Sequence, residues 1–106
     1  MPKYLFEVDY SAEGSKGLLK DGGTKRRAVV EKALAGLGGR LETFYFTYGI
    51  RDAIVIADLP DDSTALAVSL SVSASGSVTF KTTKLIMPEE IDQAAKKTVA
   101  YQAPGH

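Results

Sequence analysis

The sequence predicts an α+β fold built on one four-stranded antiparallel sheet with helices packed against it. The clearest observation is a central β-hairpin, because the runs Leu41–Thr47 and Ala53–Ala57 are rich in aromatic and β-branched residues and flank a short segment containing glycine and aspartate. Helical stretches lie on both sides of this hairpin, and one more strand-like run lies beyond each of them. The predicted order is strand, helix, strand, strand, helix, strand, in a single domain over residues 1–106.

The first strand is predicted along Lys3–Tyr10, where apolar or aromatic side chains largely alternate with charged ones. Ser11 follows it and is positioned to cap a helix. Apolar residues then keep helical spacing as far as Leu37, but the segment Asp21–Thr24 interrupts them with two glycines. We therefore expect two helical pieces, with Thr24 capping the longer second one.

The hairpin and its turn are predicted from glycine and aspartate. Gly38-Gly39 is expected to end the second helical piece as a left-handed cap. Gly49, in the connection between the hairpin strands, is expected to adopt a positive φ, because short connections between twisted antiparallel strands usually need one such residue. Asp52 beside it is expected to accept hydrogen bonds from the local backbone.

The second half of the pattern repeats the first. The segment Pro60–Ser63 opens a helix that Ser75-Gly76 ends, and a fourth strand follows over Val78–Leu85. Pro88 suits the first position of an additional C-terminal helix, with two glutamates favourable to its N-terminal dipole. This last helix is expected to run to about Val99.

Alternation along the strands assigns side chains to two faces of the predicted sheet. The more apolar face is expected to be the helix-covered core, and it holds Tyr4, Phe6, Val8, Phe44, Phe46, Ile54, Ile56, Val78 and Phe80. The opposite face is mixed, and it holds Leu5, Tyr45, Val55, Ala57 and Leu85 beside Glu7, Asp9, Thr43, Thr47, Lys81 and Thr83. Such a face is too apolar for free exposure and too polar for a dry core, so we expect a partner sheet or a pocket there.

The composition excludes several classes of function. Lys and Arg number 13 and Asp and Glu number 13, so the chain has no net field that would attract nucleic acid or an anionic membrane. The absence of cysteine excludes disulfides, thiolate metal sites and a cysteine nucleophile. The acidic pairs Asp61-Asp62 and Glu89-Glu90 lie at predicted helix starts, and the single histidine is the terminal His106, so we expect neither metal nor cofactor. With no signal-peptide pattern and no apolar run of about 18 residues, we expect a cytoplasmic protein.

Several short motifs between Lys3 and Tyr101 together resemble a known family. These motifs are Lys3-Tyr4-Leu5-Phe6, Gly39-Arg40-Leu41-Glu42, Gly49-Ile50-Arg51-Asp52, Leu59-Pro60-Asp61 and Pro88-Glu89-Glu90. With them the chain resembles the GYD domain family, named for a Gly-x-Tyr-Asp turn, although Arg51 stands where that turn has tyrosine. The resemblance implies a ferredoxin-like βαββαβ subunit of a dimeric α+β barrel, in a superfamily that also holds small isomerases, cofactor-independent monooxygenases and amino-acid-sensing domains.

Three side chains on the mixed face are candidates for catalysis. Glu7, Tyr45 and Lys81, on neighbouring strands, would supply a carboxylate base, a phenol donor and a cation for proton transfer beside a carbonyl or phenolate. The structural interpretation is that Glu7 and Lys81 form an ion pair between strands or subunits while Tyr45 packs at an interface.

A ligand-binding site is expected where the strand ends meet the glycine-interrupted helix, because glycines there supply neither bulk nor rigidity. The predicted binding residues are Tyr10, Lys16, Tyr45 and Phe46. The basic residues around the break match no phosphate-loop spacing, and we interpret them as a solvated helix face; they are Lys16, Lys20, Lys25, Arg26 and Arg27.

Three functions remain open from the sequence. The first is a homo-oligomeric module that binds or senses a small metabolite in a pocket beside the sheet, with no nucleic-acid or membrane partner. The second, suggested by the candidate catalytic residues and by the resemblance, is a cofactor-free isomerase or monooxygenase acting on an aromatic or lactone-like molecule. The third is a purely structural interaction subunit.

Overall fold

A computed structural model describes all 106 residues of the chain. The strands are β1 (Lys3–Tyr10), β2 (Arg40–Phe46), β3 (Ala53–Asp58) and β4 (Val78–Leu85). The helices are α1 (Ala12–Asp21), α2 (Gly23–Gly36), α3 (Asp62–Ala74) and α4 (Pro88–Ala95). The strands form one sheet in the order β2-β3-β1-β4, and each neighbouring pair is antiparallel. This confirms the predicted α+β, ferredoxin-like βαββαβ arrangement with an additional C-terminal helix.

Local capping signals define most helix ends. The Ser11 hydroxyl oxygen accepts a hydrogen bond from the backbone N–H of Gly14 at 3.1 Å, as predicted for the start of α1. The helical region breaks at Gly22, which has a φ of 82°. However, Gly22 and not Thr24 is the N-terminal cap of α2, and it makes no side-chain cap hydrogen bond. The prediction of Thr24 as the cap was wrong because the turn at Gly22 already starts the helix, and its carbonyl accepts from the N–H of Arg26 at 3.3 Å.

The end of α2 follows the predicted glycine cap. Gly38 has a φ of 76°, and its N–H donates to the carbonyl of Ala35 at 3.0 Å. The N–H of Gly39 donates to the carbonyl of Leu34 at 2.9 Å. These two bonds form a Schellman motif, which satisfies carbonyls that the helix end would otherwise leave unpaired.

The hairpin connection differs from its prediction. Gly49 does not have a positive φ, so the expected left-handed conformation was wrong. The connection spans residues 47–52, and this length lets the chain reverse without a left-handed residue. It is closed by the N–H of Thr47, which donates to the carbonyl of Asp52 at 2.8 Å, and by the Thr47 hydroxyl, which donates to the carbonyl of Arg51.

The two faces of β3 are reversed relative to the prediction. Val55 pairs with Phe6 of β1 and with Phe44 of β2, so it belongs to the helix-covered face together with the other inward residues of β3. Ile54 and Ile56 lie on the opposite face instead, and assigning them to the core was wrong. Every residue of β3 except its last is apolar, so alternation alone carried no information about its phase. The buried core cluster is Tyr4, Phe6, Leu34, Val55, Ala57, Leu59 and Ala65.

The segment after β4 stands away from the rest of the domain. We call Ile86–His106 the C-terminal arm; every residue in it is exposed, including those of α4. The radius of gyration is 17.2 Å, whereas a compact domain of this length has about 13 Å. The helix ends at Ala95 and does not reach Val99, since no packed neighbour supports further turns through β-branched residues. None of the four helices has the length and apolar character that a membrane span requires.

Candidate functional site

A largely apolar cavity of about 230 Å³ lies between the sheet and the helices α2 and α3. Fourteen of its fifteen lining residues are hydrophobic and the fifteenth is Arg26. The lining residues are Phe6, Val8, Tyr10, Arg26, Val29, Val30, Ala33, Leu34, Phe44, Ala53, Val55, Val68, Val72, Val78 and Phe80. The cavity is therefore apolar with a single charged group in its wall.

The cavity follows from where the two helices sit. Helix α2 packs on the edge strand β2, and α3 packs on the opposite edge strand β4. The middle strands present side chains such as the small Ala53 beneath the space between the helices. The cavity is partly open to solvent on the side of α2, because Val29 lines it and is also 49% exposed. The sheet and two separated helices thus enclose a space that the side chains do not fill.

Arg26 has an unusual environment for a cation. Its Nε atom has essentially no solvent-exposed surface and no hydrogen-bond partner. No carboxylate lies within 4 Å of its guanidinium nitrogens. The acidic residues Glu13 and Asp21 line a smaller cavity that Arg26 also borders, but they pair with Lys16 at 3.9 Å and Lys25 at 3.5 Å. One buried N–H of an otherwise half-exposed side chain is thus left without an acceptor, which is unfavourable in a folded protein.

The structure separates the four predicted ligand-binding residues. Tyr10 lines the apolar cavity and two neighbouring clefts of about 150 and 330 Å³. Phe46 lines the second of these clefts, with its ring centroid 6.5 Å from that of Tyr10. Lys16 is exposed on α1, and Tyr45 is 65% exposed on the other face of the sheet. The fold brings together Tyr10 and Phe46 but not Lys16 or Tyr45.

The three candidate catalytic residues share one row across the open face of the sheet. Glu7 is the register partner of Lys81 on one side and of Ile54 on the other, and Ile54 is the partner of Tyr45. Ile54 therefore separates Glu7 from Tyr45. No ion pair joins Glu7 to Lys81; the Glu7 carboxylate instead accepts from Nε of Arg51 at 3.2 Å. The carboxylate proposed as a base is thus held by a cation from the hairpin connection.

The hairpin connection is clamped onto β1. Arg51 also donates from Nη1 to the carboxylate of Asp9 at 2.9 Å, and the bond to Glu7 is the main cause that raises the pKa of Arg51. The Asp52 carboxylate accepts from the backbone N–H of Tyr10 at 2.8 Å, so it bonds a distant strand and not the local backbone as expected. These contacts hold the C-terminal end of β1, whose last residue, Tyr10, lines the cavity.

Other ionisable groups form structural contacts at the far end of the sheet. The buried Asp58 carboxylate accepts from Lys3 at 2.8 Å and from Arg40 at 3.2 Å, and the bond from Lys3 is the main cause that lowers its pKa. The Tyr4 hydroxyl donates to the Asp62 carboxylate, and burial together with this bond raises the pKa of Tyr4 to about 12. The structure contains no cluster of three or more His, Cys, Asp or Glu side chains able to hold a metal ion.

Arg26 was not among the predicted site residues, because its neighbours in the chain are exposed basic residues. Its neighbours Lys25 and Arg27 are exposed, but Arg26 occupies the first position of the apolar stripe of α2. The stripe continues at the spacings i+3, i+4, i+7 and i+8 with Val29, Val30, Ala33 and Leu34. A cation that begins an apolar helical stripe was the signal available in the sequence.

Comparison with known proteins gives one family. The GYD domain model matches residues 4–95, which include all four strands and all four helices apart from the first residue of β1. No curated protein and no solved structure gives a significant match. Since the family match covers most of the chain and the structure has the fold that the resemblance implied, the chain belongs to the GYD domain family.

Proposed function

We propose that this protein is a homodimeric module that binds a small, largely apolar metabolite in the cavity between its sheet and helices α2 and α3. The observation that carries this proposal is an apolar space of about 230 Å³ in a domain of 106 residues. Protein interiors are normally close-packed, and voids larger than a water molecule are few. Apolar cavities exclude water and accept apolar ligands, so a ligand would replace contacts that the lining side chains lack.

The character of the lining favours binding over proton-transfer chemistry. The hydroxyl of Tyr10 and the guanidinium of Arg26 are its only polar side-chain groups, and neither is a general base near neutral pH. Glu7, Tyr45 and Lys81, on which the isomerase or monooxygenase alternative depends, lie on the opposite face of the sheet. The cavity therefore supports the binding alternative more directly.

The open face of the sheet supports the homodimer. It carries Leu5, Tyr45, Ile54, Ile56 and Leu85, and no helix of the chain covers it. The two isoleucines make this face more apolar than the sequence analysis predicted. The C-terminal arm begins directly after β4 and exposes further apolar side chains, among them Met87 and Ile91. A second copy that packs on the open face and contacts the arm would remove both surfaces from water.

The assembly is tested by the mass of the particle in solution. Light scattering at micromolar concentration is expected to give twice the 11.3 kDa mass of one chain. Ile56→Asp places a charge on the open face and is expected to give monomers. Leu66→Asp is the matched control, because Leu66 is 61% exposed on α3 and faces away from that surface. A monomeric wild-type protein, or a dimer unaffected by Ile56→Asp, would contradict this interface.

Occupancy of the cavity is tested with toluene and methyl NMR. Methyl resonances of Val30, Val68 and Val72, which line the cavity, are expected to shift as toluene is added. Val99 in the exposed C-terminal arm is the internal control and is expected not to shift. Shifts that are equal at all four valines, or absent from the three cavity valines, would contradict the proposed site.

A further inference from the structure

We infer the chemical class of the ligand: a compact hydrophobic carboxylate whose acid group pairs with Arg26 while its apolar part fills the cavity. The inference rests on the proposed function, because it requires that the cavity holds a ligand. It adds the charge, the size and the orientation of that ligand.

The charge follows from Arg26. Its guanidinium is a cation with donors only, and its buried Nε–H has no acceptor in the chain. Leaving this buried donor of a cation unpaired is unfavourable, so a ligand that brings an anionic acceptor gains more here than a neutral one. A carboxylate matches the planar guanidinium with two parallel hydrogen bonds, which a hydroxyl or an amide cannot reproduce.

The chain itself does not supply this anion. Glu13 and Asp21 are the acidic residues that share a cavity wall with Arg26, and each is paired with a lysine of its own helix or the next. No ion pair reaches Arg26. Because the local acids are already compensated, the charge of Arg26 remains available to a ligand in the apolar cavity.

The size and shape follow from the cavity. A cavity of about 150 Å³ holds benzene, so about 230 Å³ accommodates about nine non-hydrogen atoms. Aromatic walls favour an aromatic ligand, since Phe6 and Phe80 have ring centroids 5.0 Å apart and Phe44 lies across the sheet. A phenyl ring that carries a carboxylate directly or through one CH₂ group has about nine or ten non-hydrogen atoms and meets these requirements, with its carboxylate directed at the N-terminal turn of α2.

The test compares phenylacetate with phenylacetamide, which has nearly the same shape but no charge. Affinities are measured from the shifts of the cavity valine methyls in the wild-type protein, in Arg26→Met and in Arg27→Met. Arg27 is the matched control because it is the adjacent arginine of α2 and is exposed. We expect wild type to prefer phenylacetate, and Arg26→Met to lose about tenfold or more in phenylacetate affinity with phenylacetamide unchanged. Arg27→Met is expected to behave as wild type.

Two results would overturn the inference while leaving the proposed function intact. One is equal affinity of the wild-type protein for the acid and the amide. The other is a phenylacetate affinity that Arg26→Met does not change. Failure of toluene, phenylacetate and phenylacetamide alike to shift the cavity methyls would instead refute the proposed function. Thermal unfolding of ligand-free Arg26→Met checks the premise: a buried donor without an acceptor predicts a midpoint at or above that of wild type, and a marked decrease would reveal an internal partner and also overturn the inference.

Discussion

Two glycines of α1, one turn apart, are expected to respond in opposite directions to the same substitution. A Cβ atom added to Gly14 would overlap the backbone carbonyl oxygen of Ser77 and lie 3.2 Å from the ring of Tyr10. A Cβ added to Gly17 would meet nothing within 4 Å. The glycines of this region were expected to supply neither bulk nor rigidity, but Gly14 is a point of close packing, whereas Gly17 is open.

The magnitudes follow from the contacts at each site. Alanine in place of glycine in a helix gains about 0.5–1 kcal/mol, and Gly17→Ala is expected to realise this gain. Gly14→Ala has the same gain but forces the start of α1 away from Ser77, at an overpacking cost of about 1–3 kcal/mol. That movement also weakens two hydrogen bonds to the Ser77 carbonyl, from the N–H and the hydroxyl of Ser11 at 2.9 and 3.0 Å, each worth about 1 kcal/mol. The net expectation for Gly14→Ala is a loss of about 2–4 kcal/mol.

Thermal unfolding followed by circular dichroism measures both variants. For a chain of this length, 1 kcal/mol corresponds to a shift of about 4 °C in the midpoint. Gly17→Ala is expected to raise the midpoint by about 2–4 °C and Gly14→Ala to lower it by about 8–16 °C. If both variants shift in the same direction, the close approach of α1 to Ser77 does not determine the role of Gly14, and this reasoning is refuted.

Three further predictions concern stability. Gly49→Val is expected to change the free energy of unfolding by less than about 0.5 kcal/mol in urea titrations, because Gly49 has open space and no positive φ; a loss above about 2 kcal/mol would contradict the hairpin description. Asp58→Asn is expected to cost about 1.5–3 kcal/mol at pH 7 by weakening the bond to Lys3. Folding lowers the pKa of Asp58, so its contribution to stability is present above the pKa of the unfolded chain and is lost as the pH falls through the pKa of the folded protein. If wild type and Asp58→Asn have the same acid-unfolding profile, this prediction is wrong. Tyr4→Phe removes the hydrogen bond from the Tyr4 hydroxyl to Asp62 and is expected to lower the free energy of unfolding by about 1 kcal/mol in urea titrations. An unchanged free energy of unfolding would show that this bond does not stabilise the fold.

The elements that could be predicted from sequence are those whose causes lie within a few residues. Ser11 caps α1 by bonding an N–H three residues later, and Asp61 caps α3 in the same way through Thr64. The Gly38 cap likewise involves only the last turn of α2. Because such interactions form between near neighbours in the chain, their residues identify helix ends without knowledge of the rest of the fold.

The candidate site was predictable only in part. Alternation along β1 and β2 carries Tyr10 and Phe46 to the helix-covered face, where both line cavities, and their role in binding stays a prediction. Lys16 and Tyr45 were grouped with them from their positions in the chain, but Lys16 is exposed on α1 and Tyr45 lies on the opposite face of the sheet, where alternation had already assigned it. Arg26 was overlooked, since the sequence around it shows only a run of basic residues.

By itself the sequence determined the order of elements, the caps at Ser11 and Gly38 and the apolar face of β1, because each depends on periodicity or on contacts between near neighbours. Only the tertiary structure decided which residues of β3 face the helices. The pattern of that strand is almost uniformly apolar, so its pairing with Phe6 and Phe44 makes the choice. The tertiary structure alone also decided the environment of Arg26, because burial of one nitrogen depends on how far α2 and α3 stand apart over the sheet. That separation is set by packing among distant segments, and no local pattern in the chain encodes it.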